Sequence, residues 1–150
     1  MRYTWLIFLS ILMFASIASA ENGLINVKSS HTVKETADRL ESVLKEKGMT
    51  VFARIKHSDG AKKAGVDLRP TELVIFGNPR VGAPLMKCNQ TVGIDLPQKA
   101  LIWKDDTDQV WLTYNDPQYL SKRHGLSACA GVIAKVEKAL GNFAKAATKP

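Results

Sequence analysis

The chain has 150 residues, 45% of them hydrophobic, and its 21 Lys and Arg outweigh 14 Asp and Glu to give a formal charge of +7. That length suits one domain around a single core. The lysines are scattered and no aromatic stripe runs between them, which argues against a nucleic-acid surface and for a solvated basic one.

Residues 1–20 are ordered as an export signal. A basic start (Met1, Arg2) precedes an apolar run from Trp5 to Ile17, and small residues close it at Ala18, Ser19 and Ala20. The stretch is short for a spanning helix, which needs about 20 predominantly apolar residues, so cleavage between Ala20 and Glu21 is expected. No cysteine sits there to accept a lipid. Cleavage removes Arg2 and no acid, leaving +6 over residues 21–150. No second segment approaches membrane length, so the mature protein is expected to be periplasmic or secreted and free of the membrane.

Leu24 to Lys28 reads as a short strand. Thr32 and Glu35 then have capping-box spacing, Val33, Ala37, Leu40 and Leu44 recur at helical intervals, and Gly48 supplies the stop. Residues 50–56 predict a strand with Val51, Ala53 and Ile55 on one side. A short helix is expected over His57 to Gly65. Leu73 to Phe76 is a continuous apolar run, as in a central strand covered on both faces. A loop through Asn78, Pro79 and Gly82 feeds a helix expected from Pro84 to Val92. Ala100–Trp103 and Val110–Tyr114 flank the polar turn Asp105-Asp106-Thr107-Asp108 as a hairpin. The last helix is expected from Ser127 to Phe143, with Val132, Val136, Leu140 and Phe143 as its buried stripe and a loose tail beyond. No repeat or internal linker interrupts this order. The elements predict one compact α+β domain with a core over about residues 24–143, a mixed sheet of about five strands and helices packed on it.

Cys88 and Cys129 are placed to face the core from neighbouring helices, and in an oxidising compartment a disulfide between them is expected beside the alternative of simple burial. The absence of a C-x-x-C pair argues against redox catalysis. His57 and His124 lack the spacing of a local metal site, so a metal would need both to converge with Asp59 or Asp116; a plain surface role is the competing account. Ser121 and Ser127 near His124 carry no nucleophile elbow. The Asp105 cluster lacks the ligand order of a calcium loop, and Gly77 and Gly82 lack the lysine and serine of a phosphate loop. Tyr114, Asn115, Asp116 and Pro117 put a hydroxyl, an amide and a carboxylate at a strand end, where ordinary turn chemistry is the alternative to a site.

Three stretches carry a resemblance: LRPTELVIFGNPRVGAPLM (Leu68–Met86), GIDLPQKALIWKD (Gly93–Asp105) and VWLTYNDPQYLSKRHGL (Val110–Leu126). In order and spacing they resemble the bacterial family called domain of unknown function 302, over roughly Asn26 to Leu140. The resemblance implies an α+β fold on a mixed sheet and a homodimer as one arrangement; it assigns no activity or cofactor. It also draws His57, Asn78, Tyr114, Asn115, Asp116 and His124 together as candidate ligand-binding residues, with His57 and His124 as metal candidates. Ala83 stands where relatives usually carry Thr, so a hydroxyl is missing there.

The foremost functional expectation is an exported, stress-associated module that binds a small ligand or a metal ion. One alternative is an enzyme with His57 or His124 as general acid or base, since histidine titrates near neutral pH. The other is a structural or interaction domain whose shared polar residues cap turns.

Overall fold

A computed structural model of the chain describes residues 22–150; the expected export signal and the Ala20/Glu21 cleavage site lie outside the described residues. Five strands form one sheet: β1 (Leu24–Ser29), β2 (Thr50–Lys56), β3 (Thr71–Gly77), β4 (Gln98–Lys104) and β5 (Val110–Asn115). Their spatial order is β1-β5-β4-β3-β2. The α+β class and the single compact domain agree with the sequence reading, but every pairing is antiparallel where a mixed sheet was expected. The first helix, α1 (Val33–Glu46), explains the difference: it carries the chain from β1 at one edge to β2 at the other, so the strands that flank it never pair.

The start of α1 is fixed locally. The Thr32 hydroxyl accepts from Glu35 N at 3.2 Å, and the Glu35 carboxylate accepts from Thr32 N at 3.0 Å. Bonds from Thr32 hold the Glu35 carboxyl below its ordinary pKa. Val33, Ala37, Leu40 and Leu44 are buried, as their spacing predicts. Alongside α1 lies the last helix, α5 (Ala130–Thr148), and the two cover one face of the sheet. Val74, Phe76, Ala100, Ile102, Leu112 and Tyr114 point into this layer. Burying side chains of this size contributes roughly 1.5–3 kcal/mol each.

The other sheet face keeps partial exposure. Burial along β3 alternates residue by residue, so its apolar run is covered on one side and not on both. On the more open face Trp103 Nε1 donates to Thr113 Oγ1 at 2.8 Å, and Thr113 donates on to Asn26 Oδ1 at 2.6 Å. In β2 the register shifts between Val51 and Ala53: Val51 pairs with Phe76 on the helix-covered face, while Ala53 and Ile55 pair with Ile75 and Leu73 on the other. The three residues expected on one side are therefore divided by a bulge, which resets the two-residue period.

The connecting helices are α2 (His57–Lys63), α3 (Pro79–Cys88) and α4 (Pro117–His124). The start of α3 lies before the expected Pro84, because Asn78 caps it and Pro79 takes the first helical position; Pro84 falls inside. A 3₁₀ turn follows over Gln90–Ile94 in place of the expected continuation to Val92. Ser127–Cys129 is likewise a 3₁₀ turn, and α5 runs past Phe143 to Thr148. The tail expected to be loose is helical because Ala144, Ala147 and Thr148 extend the buried stripe. Ser30 N donates to Thr148 O at 3.0 Å, and Arg39 Nε donates to Ala147 O at 3.2 Å.

Cys88, ending α3, is bonded to Cys129, which precedes α5; their Cα atoms are 6.4 Å apart. Cys129 is half-buried and packs against the core, as expected, while Cys88 is exposed, so the bond ties the surface end of α3 to the core edge.

Candidate functional site

The sheet register separates the polar candidates. Lys56 pairs with Glu72 and Glu72 with Ile102, which puts His57 at one end of the sheet. Thr50 pairs with Gly77, Phe76 with Gln98 and Ala100 with Tyr114, which puts Asn78, Tyr114, Asn115 and Asp116 at the opposite end. A strand of seven residues such as β2 covers roughly 20 Å. His57 and His124 are held apart by that length, so the expected cleft shared by both does not form. His57 is exposed beside a shallow polar depression lined by Ser58, Asp59, Lys62 and Asp67. Among the described residues no three His, Cys, Asp or Glu side chains gather as metal ligands.

Several of the candidates spend their polar atoms on backbone. Asn78 Oδ1 accepts from Arg80 N at 2.9 Å, and Asp116 Oδ1 accepts from Gln118 N at 2.9 Å. These are helix caps, in line with the turn-chemistry account. Asn115 closes the pairing of β5 with β1 opposite Leu24. Tyr114 is buried in the core, and burial pushes its hydroxyl pKa up, with the Asp116 and Glu137 carboxylates adding to the effect.

His124 is the candidate with the most developed surroundings. It is buried at the end of α4; its Nε2 lies 2.5 Å from Asp95 Oδ2 and its Nδ1 lies 3.0 Å from Thr91 Oγ1. Its backbone carbonyl accepts from Asn89 Nδ2 at 2.8 Å. Both ring nitrogens are engaged, and the Thr91 hydroxyl also donates to Asn89 Oδ1 at 2.9 Å. The arrangement ties the 3₁₀ turn after α3 to the end of α4. Asp95, inside the stretch GIDLP, and Thr91 do not stand out in the sequence, because their partner lies about thirty positions away on a separate element.

A second feature is apolar. Between α3, α5 and the Gly77–Gln98 end of the sheet lies a cavity of about 500 Å³, within the size range of small-molecule sites. Leu85, Leu96, Val136, Leu140 and Phe143 line it, with the exposed Phe52, Val81 and Met86 also in its wall. Phe143 meets Phe76 edge to face, ring centroids 6.5 Å apart. Of the polar residues that the sequence singles out, Asn78 alone lines the cavity; the other polar liners are Gln98 and Lys135.

A five-stranded antiparallel sheet with helices over one face defines a single α+β domain, with a ligand-sized apolar cavity at one end. The chain belongs to the family described as domain of unknown function DUF302, whose model matches residues 25–143. The fold is shared with an uncharacterised conserved DUF302 protein of Bacillus stearothermophilus. That crystal structure has a TM-score of 0.76 at 24% identity and covers 83% of this chain and 98% of its own. A protein of Brucella suis named fluoride-specific ion channel FluC 1 is 49% identical over 115 residues, 77% of this chain and 45% of that protein. A Brucella abortus protein of the same name is also 49% identical over 115 residues, which make up 43% of its length. The chain thus spans less than half the length of these curated relatives.

Proposed function

We propose that this domain is a binding module for a small, largely apolar molecule, and that the cavity between α3, α5 and the sheet is its site. The observation that carries the reading is the cavity itself, about 500 Å³ walled by Leu85, Leu96, Leu140 and Phe143. Apolar surface of that extent gains by being covered with something other than water. Met49 and Met86 in the wall are adaptable side chains suited to an irregular ligand. The test is fluorescence of anilinonaphthalene sulfonate with the purified protein and with Ala139→Phe, which fills the cavity. Enhancement that the substitution abolishes supports the reading, and equal enhancement from both proteins rejects it.

Export belongs to the same proposal. The order of residues 1–20 and the Cys88–Cys129 bond are both suited to an oxidising compartment. N-terminal sequencing of the protein from a fractionated cell checks it: a start at Glu21 is expected, and a start at Met1 in the cytoplasm refutes it.

A second reading follows from the Brucella relatives. Their names describe fluoride channels, yet among the described residues here no helix is long and apolar enough to cross a membrane. On this reading the domain is an attachment that serves a membrane protein in trans. Co-purification from detergent-solubilised membranes, judged by a stoichiometric membrane-embedded partner, separates it from the first.

A further inference from the structure

Among the described residues, every side chain lining the large cavity is apolar or neutral except one. Lys135, on α5, brings the one charge to the lining, and no carboxylate there balances it. Among the described residues it makes no ion pair and no side-chain hydrogen bond, unlike Lys34, Lys45 and Lys104, which pair with acids four residues away. Lys135 is exposed, so its ammonium stands at the mouth of the cavity, where it favours an anionic end over a neutral or cationic one through an attraction that solvent partly screens.

The second polar group is Gln98. It is 9% exposed, lines the cavity at the start of β4, and its amide makes no hydrogen bond among the described residues. Among those residues no fully covered side-chain polar atom is left without a partner, so the Gln98 amide retains some exposure. A nearly buried amide with no protein partner calls for one from a guest. Gln98 pairs beside Phe76, and Phe76 packs on Phe143. Lys135 stands eight positions before Phe143 on α5, which is roughly 12 Å along the helix. The two polar groups therefore serve different parts of a long guest, with Leu85, Leu96 and Leu140 between helices and sheet as its apolar surroundings.

We propose, building on the cavity reading above, that the ligand is an elongated organic carboxylate. Its anionic end pairs with Lys135, its body lies against the leucines and Phe143, and a hydroxyl or carbonyl away from the acid is held by Gln98. No bond is made or broken; the site selects by charge and by the position of one polar group.

Isothermal titration of the full protein with decanol below its solubility limit, and with decanoate and ω-hydroxydecanoate below their micelle concentrations, tests this. Decanoate is expected to bind one per chain and severalfold more tightly than decanol, with ω-hydroxydecanoate at least as tight as decanoate. Lys135→Gln is expected to remove the acid's advantage and leave decanol unchanged. Gln98→Leu is expected to weaken ω-hydroxydecanoate severalfold while sparing decanoate. Equal binding of decanol and decanoate, both indifferent to Lys135→Gln, overturns the carboxylate assignment and keeps the cavity. A loss of hydroxyl preference that appears in Lys135→Gln but not in Gln98→Leu overturns the role of Gln98. If none of the three binds to a protein whose circular dichroism shows it folded, the cavity reading itself falls.

Discussion

His124 Nε2 lies 2.5 Å from Asp95 Oδ2, joining the end of α4 to the segment that leads into β4. The next residue, Leu96, lines the apolar cavity, so this pair braces one of its walls. Replacing His124 with Ala removes the nearer partner of a carboxylate that is largely covered and leaves it only Arg123 at 3.5 Å, a loss of about 2 kcal/mol for a charge-assisted hydrogen bond. Urea unfolding is expected to show that drop. Asp95→Asn, which keeps the shape and one acceptor, is expected to lose less.

Arg54, on β2, gathers three acids from β3 and α1. Its side chain bonds Glu72 at 2.5 Å, Asp38 at 2.6 Å and Glu41 at 3.3 Å. Burial opposes its charge, but the hydrogen bonds of Asp38 and Glu72 outweigh that and raise its pKa further. Arg54→Met strands the buried Glu72, and a loss of about 2 kcal/mol is expected, short of the full buried-pair penalty because Arg54 retains some solvent. Arg54→Met with Glu72→Leu is expected to recover most of the loss in a thermal melt, and failure to recover would show that packing alone was disturbed.

The Asp105 turn gives an acid-sensitive element. Trp111 Nε1 donates to Asp105 Oδ2 at 2.7 Å, and Thr107 N and Gln109 N donate to Oδ1 at 2.9 Å each. The Trp111 bond leads in depressing the carboxyl from 3.8 to about 2. A carboxyl with a lowered folded pKa stabilises the protein fully above its unfolded value and ceases to do so as pH falls through the folded one. Stability is therefore expected to decline between about pH 4 and pH 2. Trp111→Phe is expected to make that decline smaller, as read from urea midpoints across the interval.

The Cys88–Cys129 bond closes a loop with a sequence separation of 41, for which the chain-entropy account gives about 4 kcal/mol. Cys88→Ser with Cys129→Ser is expected to unfold at markedly lower denaturant. Because Leu85 and Met86 in the same helix line the cavity, anilinonaphthalene sulfonate binding to the folded variant is expected to weaken as well. Unchanged stability after reduction of the wild-type protein would contradict this.

Local signals in the sequence were reliable where the deciding partner was a few residues away. Thr32 and Glu35 are three apart, and α1 starts where they say. The hairpin around Asp105 and the strand over residues 50–56 are equally local. The candidate site was harder to read because strand direction has no periodic signature. His57 follows β2 and His124 ends the helix after β5, yet the antiparallel order sends them to opposite ends of the sheet. The bulge after Val51 changes which face a residue meets without altering composition. Gln98 and Lys135 look ordinary in sequence, and only the meeting of β4 with α5 at one cavity gives them a role.

The anchoring of the α5 tail also decides how the domain carries load. Asn22 precedes the start of β1, while Lys149 is tied back to the other end of that strand, its carbonyl 2.7 Å from His31 Nε2 and 2.9 Å from Arg39 Nη2. Tension between neighbours joined at the two ends of the described chain would run along β1, loading its hydrogen bonds to β5 together and not one after another. In a tandem or membrane-tethered setting the domain would behave as a stiff link, yielding by the sliding of β1 past β5 and not by peeling from one end.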